Sequence, residues 1–154
     1  MTMAKRISGP LRVERLNDGR RMLLRDLVID LGTNLDLGED RYDGLTVSQQ
    51  GTTVVTVPKD FKTDFSSIPS FARWLYRFDS VDLAGCCHDW AYWVGVPQPE
   101  ADEIWRLVAT SGESEETRVT GWKARLGWLA LRLGGGFAYR DHARRREARM
   151  SAIA

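Results

Sequence analysis

Disulfide chemistry has almost no material in this chain: the 154 residues include two cysteines, and these are neighbours, Cys86 and Cys87. Adjacent cysteines bond to each other only through a small strained ring, so no disulfide framework holds the fold. The segment Met1 to Ser8 lacks the apolar core of a signal peptide, and together these absences lead us to expect folding in a reducing cytoplasm. Long apolar runs are missing as well. The stretch Leu126 to Leu133 is broken by Arg132 and preceded by Lys123 and Arg125, far short of the uncharged run of about 20 residues that crosses a bilayer, so no transmembrane segment is expected. Net charge is close to nil, a formal +1, which gives no overall reason to expect nucleic acid or an anionic membrane. The tail Arg140 to Arg149 is locally basic and reads as a solvated helix end.

Familiar catalytic signatures are also absent. No Gly-x-Ser-x-Gly elbow occurs, which makes Ser66 and Ser67 poor nucleophiles. There is no zinc-type spacing, and Cys86 and Cys87 fit best as small core residues. Gly134-Gly135-Gly136 follows a helical pattern and lacks Lys-Ser/Thr, so it stops a helix and does not cradle phosphate. His142 sits among arginines, where a solvent-facing position is expected.

What is present has the balance of one globular domain, 43% hydrophobic and 28% charged, with a β-rich part over 1–60 and a helical part over 66–150. Leu11 to Leu16 alternates apolar and charged residues, Asn17-Asp18-Gly19 signals a hairpin, and Arg21 to Ile29 runs back. A loop rich in Gly, Asp and Asn covers Gly32 to Gly44. Leu45 to Val47 and Thr52 to Pro58 then form a second hairpin around Gln49-Gln50-Gly51. After Pro58 the period changes to helical: Ser70 to Arg77, Val81 to Val94, Pro99 to Ala109, and Val119 to Leu133. The expected class is α+β, with an antiparallel meander or half-barrel of about four strands followed by about four packed helices.

The chemistry concentrates in Cys86-Cys87-His88-Asp89-Trp90-Ala91-Tyr92, where one of only two histidines lies beside a carboxylate in an apolar helical segment. Such groups are costly to bury unless they are paired or used. On a helix His88 and Tyr92 share a face, while Asp89 turns about 100° away over Gly85. An imidazole and a carboxylate so placed can divide labour, the imidazole taking a proton from water and the carboxylate holding a cation or a donor. The competing reading is a pair of buried polar residues tying helices to the sheet. Asp64 stands in a turn with Ser66 and Ser67, as a ligand or as part of a helix N-cap with Ser70. Asp102 reaches His88 if the helices on either side of Gly95 pack antiparallel. Asp64, His88, Asp89 and Asp102 can then converge as an oxygen-rich cation site with a nearby base.

Four ordered segments carry a family resemblance: Val57 to Pro69, His88-Asp89-Trp90-Ala91-Tyr92, Ala101-Asp102-Glu103-Ile104-Trp105, and Leu129 to Gly135. Together they resemble the phage and prophage family catalogued as domain-of-unknown-function family 1353, over roughly Leu45 to Phe137. The resemblance implies a bacteriophage origin among virion or lysis genes and brings no activity with it. A fainter likeness links His-Asp-x-x-Tyr to the catalytic helix of calcium-dependent secreted phospholipases. That likeness implies His88 as base, Asp102 as the orienting acid supported by Tyr92, and Asp89 as a calcium ligand. The disulfides and the glycine-rich calcium loop of those enzymes are missing here.

The expectation favoured at this point is a phage structural or virion-associated protein, a tail, hub or capsid adaptor assembled in the host cytoplasm and partnered by other virion proteins. The alternative is a hydrolase of a host cell-envelope component, lipid or peptidoglycan. Its catalytic residues would be His88, Asp102 and Tyr92, with Asp89 and Asp64 available to a divalent cation such as calcium.

Overall fold

The computed structural model describes residues 3–63, 78–111 and 144–152, together with Trp122, Arg125, Leu126, Trp128, Leu129 and Arg132. The expected helix Ser70 to Arg77, and Asp64, Ser66, Ser67, Gly134 to Gly136 and His142, lie outside the described residues.

The class is α+β. Seven short strands come first: β1 (Lys5–Arg6), β2 (Val13–Arg15), β3 (Arg21–Leu23), β4 (Leu27–Asp30), β5 (Leu45–Val47), β6 (Thr53–Val57) and β7 (Lys62–Thr63). Helices α1 (Phe78–Val94) and α2 (Gln98–Ala109) follow. Both expected hairpins are present, β2 with β3 and β5 with β6. Their turns place Gly19 and Gly51 at φ of 86° and 79°, a region that glycine enters without steric cost.

The single meander is replaced by two antiparallel sheets, ordered β1-β4-β6-β5 and β2-β3-β7. The expected strand Arg21 to Ile29 is therefore two strands in different sheets. Leu23 exchanges backbone hydrogen bonds with Asp60 and Phe61, whereas Leu27 pairs with Val57. Between them the chain bends at Leu24–Arg25, and the Asp26 carboxylate accepts the Lys59 N–H at 2.7 Å. Leu23 and Leu27 are both buried by this arrangement. Period-two alternation is a local signal, and it does not reveal which sheet each half joins.

The four-stranded sheet turns Leu27 and Ile29 of β4 and Thr53, Val55 and Val57 of β6 into the core. Helix α1 is enclosed on nearly every side, with Ala84 to His88 and Trp90 to Tyr92 all buried. Gly44, at φ 75°, brings its backbone against the Trp90 indole, whose Nε1–H donates to the Asp43 carbonyl at 3.0 Å. Phe61 meets Trp90 edge-on, ring centroids 5.1 Å apart. These contacts fix α1 against both the loop and the sheets.

Helix α1 starts at Phe78, three residues earlier than its periodicity suggests, and ends where expected. At its end the Val96 N–H bonds to the Ala91 carbonyl and the Gly95 N–H to that of Tyr92, with Gly95 at φ 91°. This left-handed stop, followed by Pro97, folds α2 back along α1. Pro99 lies in the first turn of α2, where a missing N–H costs no helical bond. Trp122, Arg125, Leu126, Trp128, Leu129 and Arg132, all within the expected Val119 to Leu133 helix, are helical, as are residues 144–152.

Candidate functional site

The stop at Gly95 sets His88, on the penultimate turns of α1, beside Asp102 near the start of α2. His88 Nε2 and Asp102 Oδ1 are 2.8 Å apart, with His88 2% exposed and Asp102 fully buried. An ionised carboxylate only accepts, so with Asp102 ionised the donor in this contact is His88 Nε2–H. The Tyr92 hydroxyl donates to the same oxygen at 3.2 Å. Tyr92 also tilts against the imidazole, ring centroids 4.2 Å apart, as the four-residue spacing on α1 requires.

Asp102 thus takes two donors on Oδ1, while Oδ2 is buried and accepts no hydrogen bond among the described residues. The nearest cation is the Arg132 guanidinium, 4.0 Å from Oδ2 and stacked 5.8 Å from the Trp128 ring centroid. A buried charge held this way depends on each remaining partner.

Asp89 faces elsewhere. Its Oδ2 accepts a short hydrogen bond from the Thr63 hydroxyl of β7, so the carboxylate links α1 to the three-stranded sheet. Of the three acids and one imidazole that the sequence expects to converge, His88 and Asp102 are in direct contact. His88, Tyr92 and Asp102 come together, Asp89 points toward Thr63, and Asp64 lies outside the described residues. No group of three or more His, Cys, Asp or Glu side chains among the described residues is placed to hold a metal ion.

Cys86 and Cys87 adjoin the site and stay protonated. Burial pushes the Cys87 thiol up to about 12. Burial raises Cys86 as well, with smaller contributions from Cys87, Asp89 and Asp82. Neither is a nucleophile at neutral pH, in keeping with the expected core role.

Two contributors escaped the sequence reading. Thr63 immediately precedes the turn of Asp64, Ser66 and Ser67, and nothing in its sequence context signals a bond to Asp89. Arg132 was noted only as a break in an apolar run, although a lone cation in such a run is itself a signal for a buried acid nearby.

The sequence profile of the family described as "Protein of unknown function (DUF1353)" matches residues 42–131. The matched span holds the loop beside Trp90, all of α1 and α2, and each residue of the His88, Tyr92, Asp102 unit. A small α+β protein with a buried histidine–carboxylate pair on a helical hairpin is what fold and site define. The chain belongs to the DUF1353 family. Neither a curated protein nor a solved structure matches it.

Proposed function

We propose that this protein is a hydrolase of a host cell-envelope lipid, with His88 as general base and Asp102 and Tyr92 as its positioning residues. One observation carries the proposal: Asp102 Oδ1 lies 2.8 Å from His88 Nε2 and also receives the Tyr92 hydroxyl. A carboxylate fixed by a second donor holds the imidazole in one orientation, as a general base requires. With an ester substrate, the His88 imidazole takes a proton from water as the water oxygen bonds to the carbonyl carbon. The same proton then passes to the departing alkoxide as the ester C–O bond breaks. Asp102 stabilises the transient imidazolium without itself becoming protonated.

The test is fatty-acid release from phosphatidylglycerol vesicles by the purified chain, with His88→Gln and Asp102→Asn as comparisons. The proposal expects turnover in the parent, and loss of about a hundredfold or more in both variants at unchanged fold. Turnover that survives His88→Gln sinks it, as does an inert parent.

A second reading, the virion-associated adaptor, is favoured by the 2% exposure of His88 and the complete burial of Asp102. Here the same hydrogen bonds serve to lock α1 onto α2. Presence of the chain in purified particles, with a His88→Gln variant that incorporates and infects normally, supports the adaptor over the hydrolase.

A further inference from the structure

We infer that the face carrying Trp122, Leu126 and Leu129 lies on an anionic lipid surface. These three large apolar side chains are 59%, 47% and 46% exposed. All three positions are helical. At about 100° per residue they fall within an arc of about 60°, a single apolar stripe. Arg125 falls on one flank of that arc and is exposed; Arg132, on the same flank, turns its guanidinium toward Asp102.

The near-zero net charge conceals a division along the chain. From Thr117 to Ala154 there are nine Lys or Arg and two Asp or Glu, a formal +7, against −6 for the residues before. No acidic residue occurs between Thr117 and Arg140. Arg144 and Arg145, on the helical residues 144–152, are also exposed, and Met150 there is 68% exposed.

An apolar stripe rimmed by like cations is the pattern of a helix lying in the plane of a membrane interface, its apolar side chains entering the acyl boundary and its cations meeting anionic headgroups. Nucleic acid accounts for the charge and leaves three large apolar groups in water. A second copy of the chain accounts for the stripe and sets like charges against each other. No described helix is long and apolar enough to cross the bilayer, so the expected mode is to lie on it. The inference goes beyond the hydrolase proposal, because it concerns binding rather than turnover. Arg132 joins the two, its Nη1 lying 4.0 Å from Asp102 Oδ2.

The experiment is co-sedimentation of the full chain with vesicles of phosphatidylcholine alone or mixed with phosphatidylglycerol. Binding should require phosphatidylglycerol, weaken with added salt, and fall about tenfold in Leu126→Ser/Leu129→Ser and in Arg125→Glu. Circular dichroism confirms that these surface variants remain folded. The His88→Gln variant should bind as the parent does, which separates this inference from the fate of the catalytic proposal. Absence of vesicle binding overturns it. So does binding that the serine variants leave intact, as does duplex DNA binding in place of lipid, or a dimer that the serine variants dissociate.

Discussion

His88 and Asp102 join two consecutive helices through one 2.8 Å contact between Nε2 and Oδ1, buried from solvent on both sides. Removing the carboxylate leaves the His88 N–H and the Tyr92 hydroxyl without their acceptor, each worth about 1–3 kcal/mol when stranded in the interior. Asp102→Ala is therefore expected to be among the more destabilising substitutions in α2. Tyr92→Phe removes one donor while His88 still serves Oδ1, and should cost about 1 kcal/mol. Urea unfolding of both variants measures the order; equal losses would show that the tyrosine, not the histidine, dominates the pair.

The thiols predict a pH dependence at the alkaline end. Cys87 ionises near its ordinary value of 9.0 when unfolded and near about 12 when folded, and burial moves Cys86 in the same direction. Between those limits the folded state holds protons that the unfolded state has released. Stability contributed by keeping the thiols neutral is complete below pH 9 and falls as pH rises toward 12. Cys87→Ala should flatten this decline in thermal unfolding scans. Alkylation by iodoacetamide at pH 8 should need denaturant, and rapid labelling of the native chain would contradict the buried, protonated assignment.

The legible parts of the site were local, and the illegible parts depended on which element neighbours which. His88 and Tyr92 share a helical face by spacing alone. Asp102 was legible one step further, on the condition that the two helices pack antiparallel, which the stop at Gly95 brings about. The bond from Thr63 to Asp89 was not legible, because Thr63 belongs to a two-residue strand that no alternation pattern can reveal. The division of Arg21 to Ile29 between two sheets has the same origin. The charge division noted above was available from the sequence, yet a net value of +1 averages it away.

Gly44 offers a steric test of how α1 is seated. A methyl group there would strike the Thr56 carbonyl and the Trp90 indole. Gly38 shares a positive φ, 66°, but has open space around it. Gly38→Ala pays for backbone strain alone, about 1 kcal/mol. Gly44→Ala adds the clash and should lose at least about 2 kcal/mol more, since neither backbone nor a packed indole gives way. Parallel thermal melts decide the point, and equal losses would mean that the loop shifts to accommodate the methyl.

The last turn of α1 has no basic residue of its own to complement the helix dipole. The helical residues 144–152 supply that charge from a distance in sequence. The Arg149 guanidinium lies 3.6 Å from the centroid of the Trp93 ring, and Arg146 packs against Gly95 where α1 ends. Cation–π attraction and the helix dipole act together there, so Arg149→Ala should release about 0.5–2 kcal/mol of docking. Arg149→Lys keeps the charge but loses the flat stacking surface, and should recover only part of it. Hydrogen exchange of the amides at 144–152 reads the docking directly. Faster exchange in the alanine variant, with α1 protection preserved, is the expected outcome; unchanged exchange would assign the contact no energetic role.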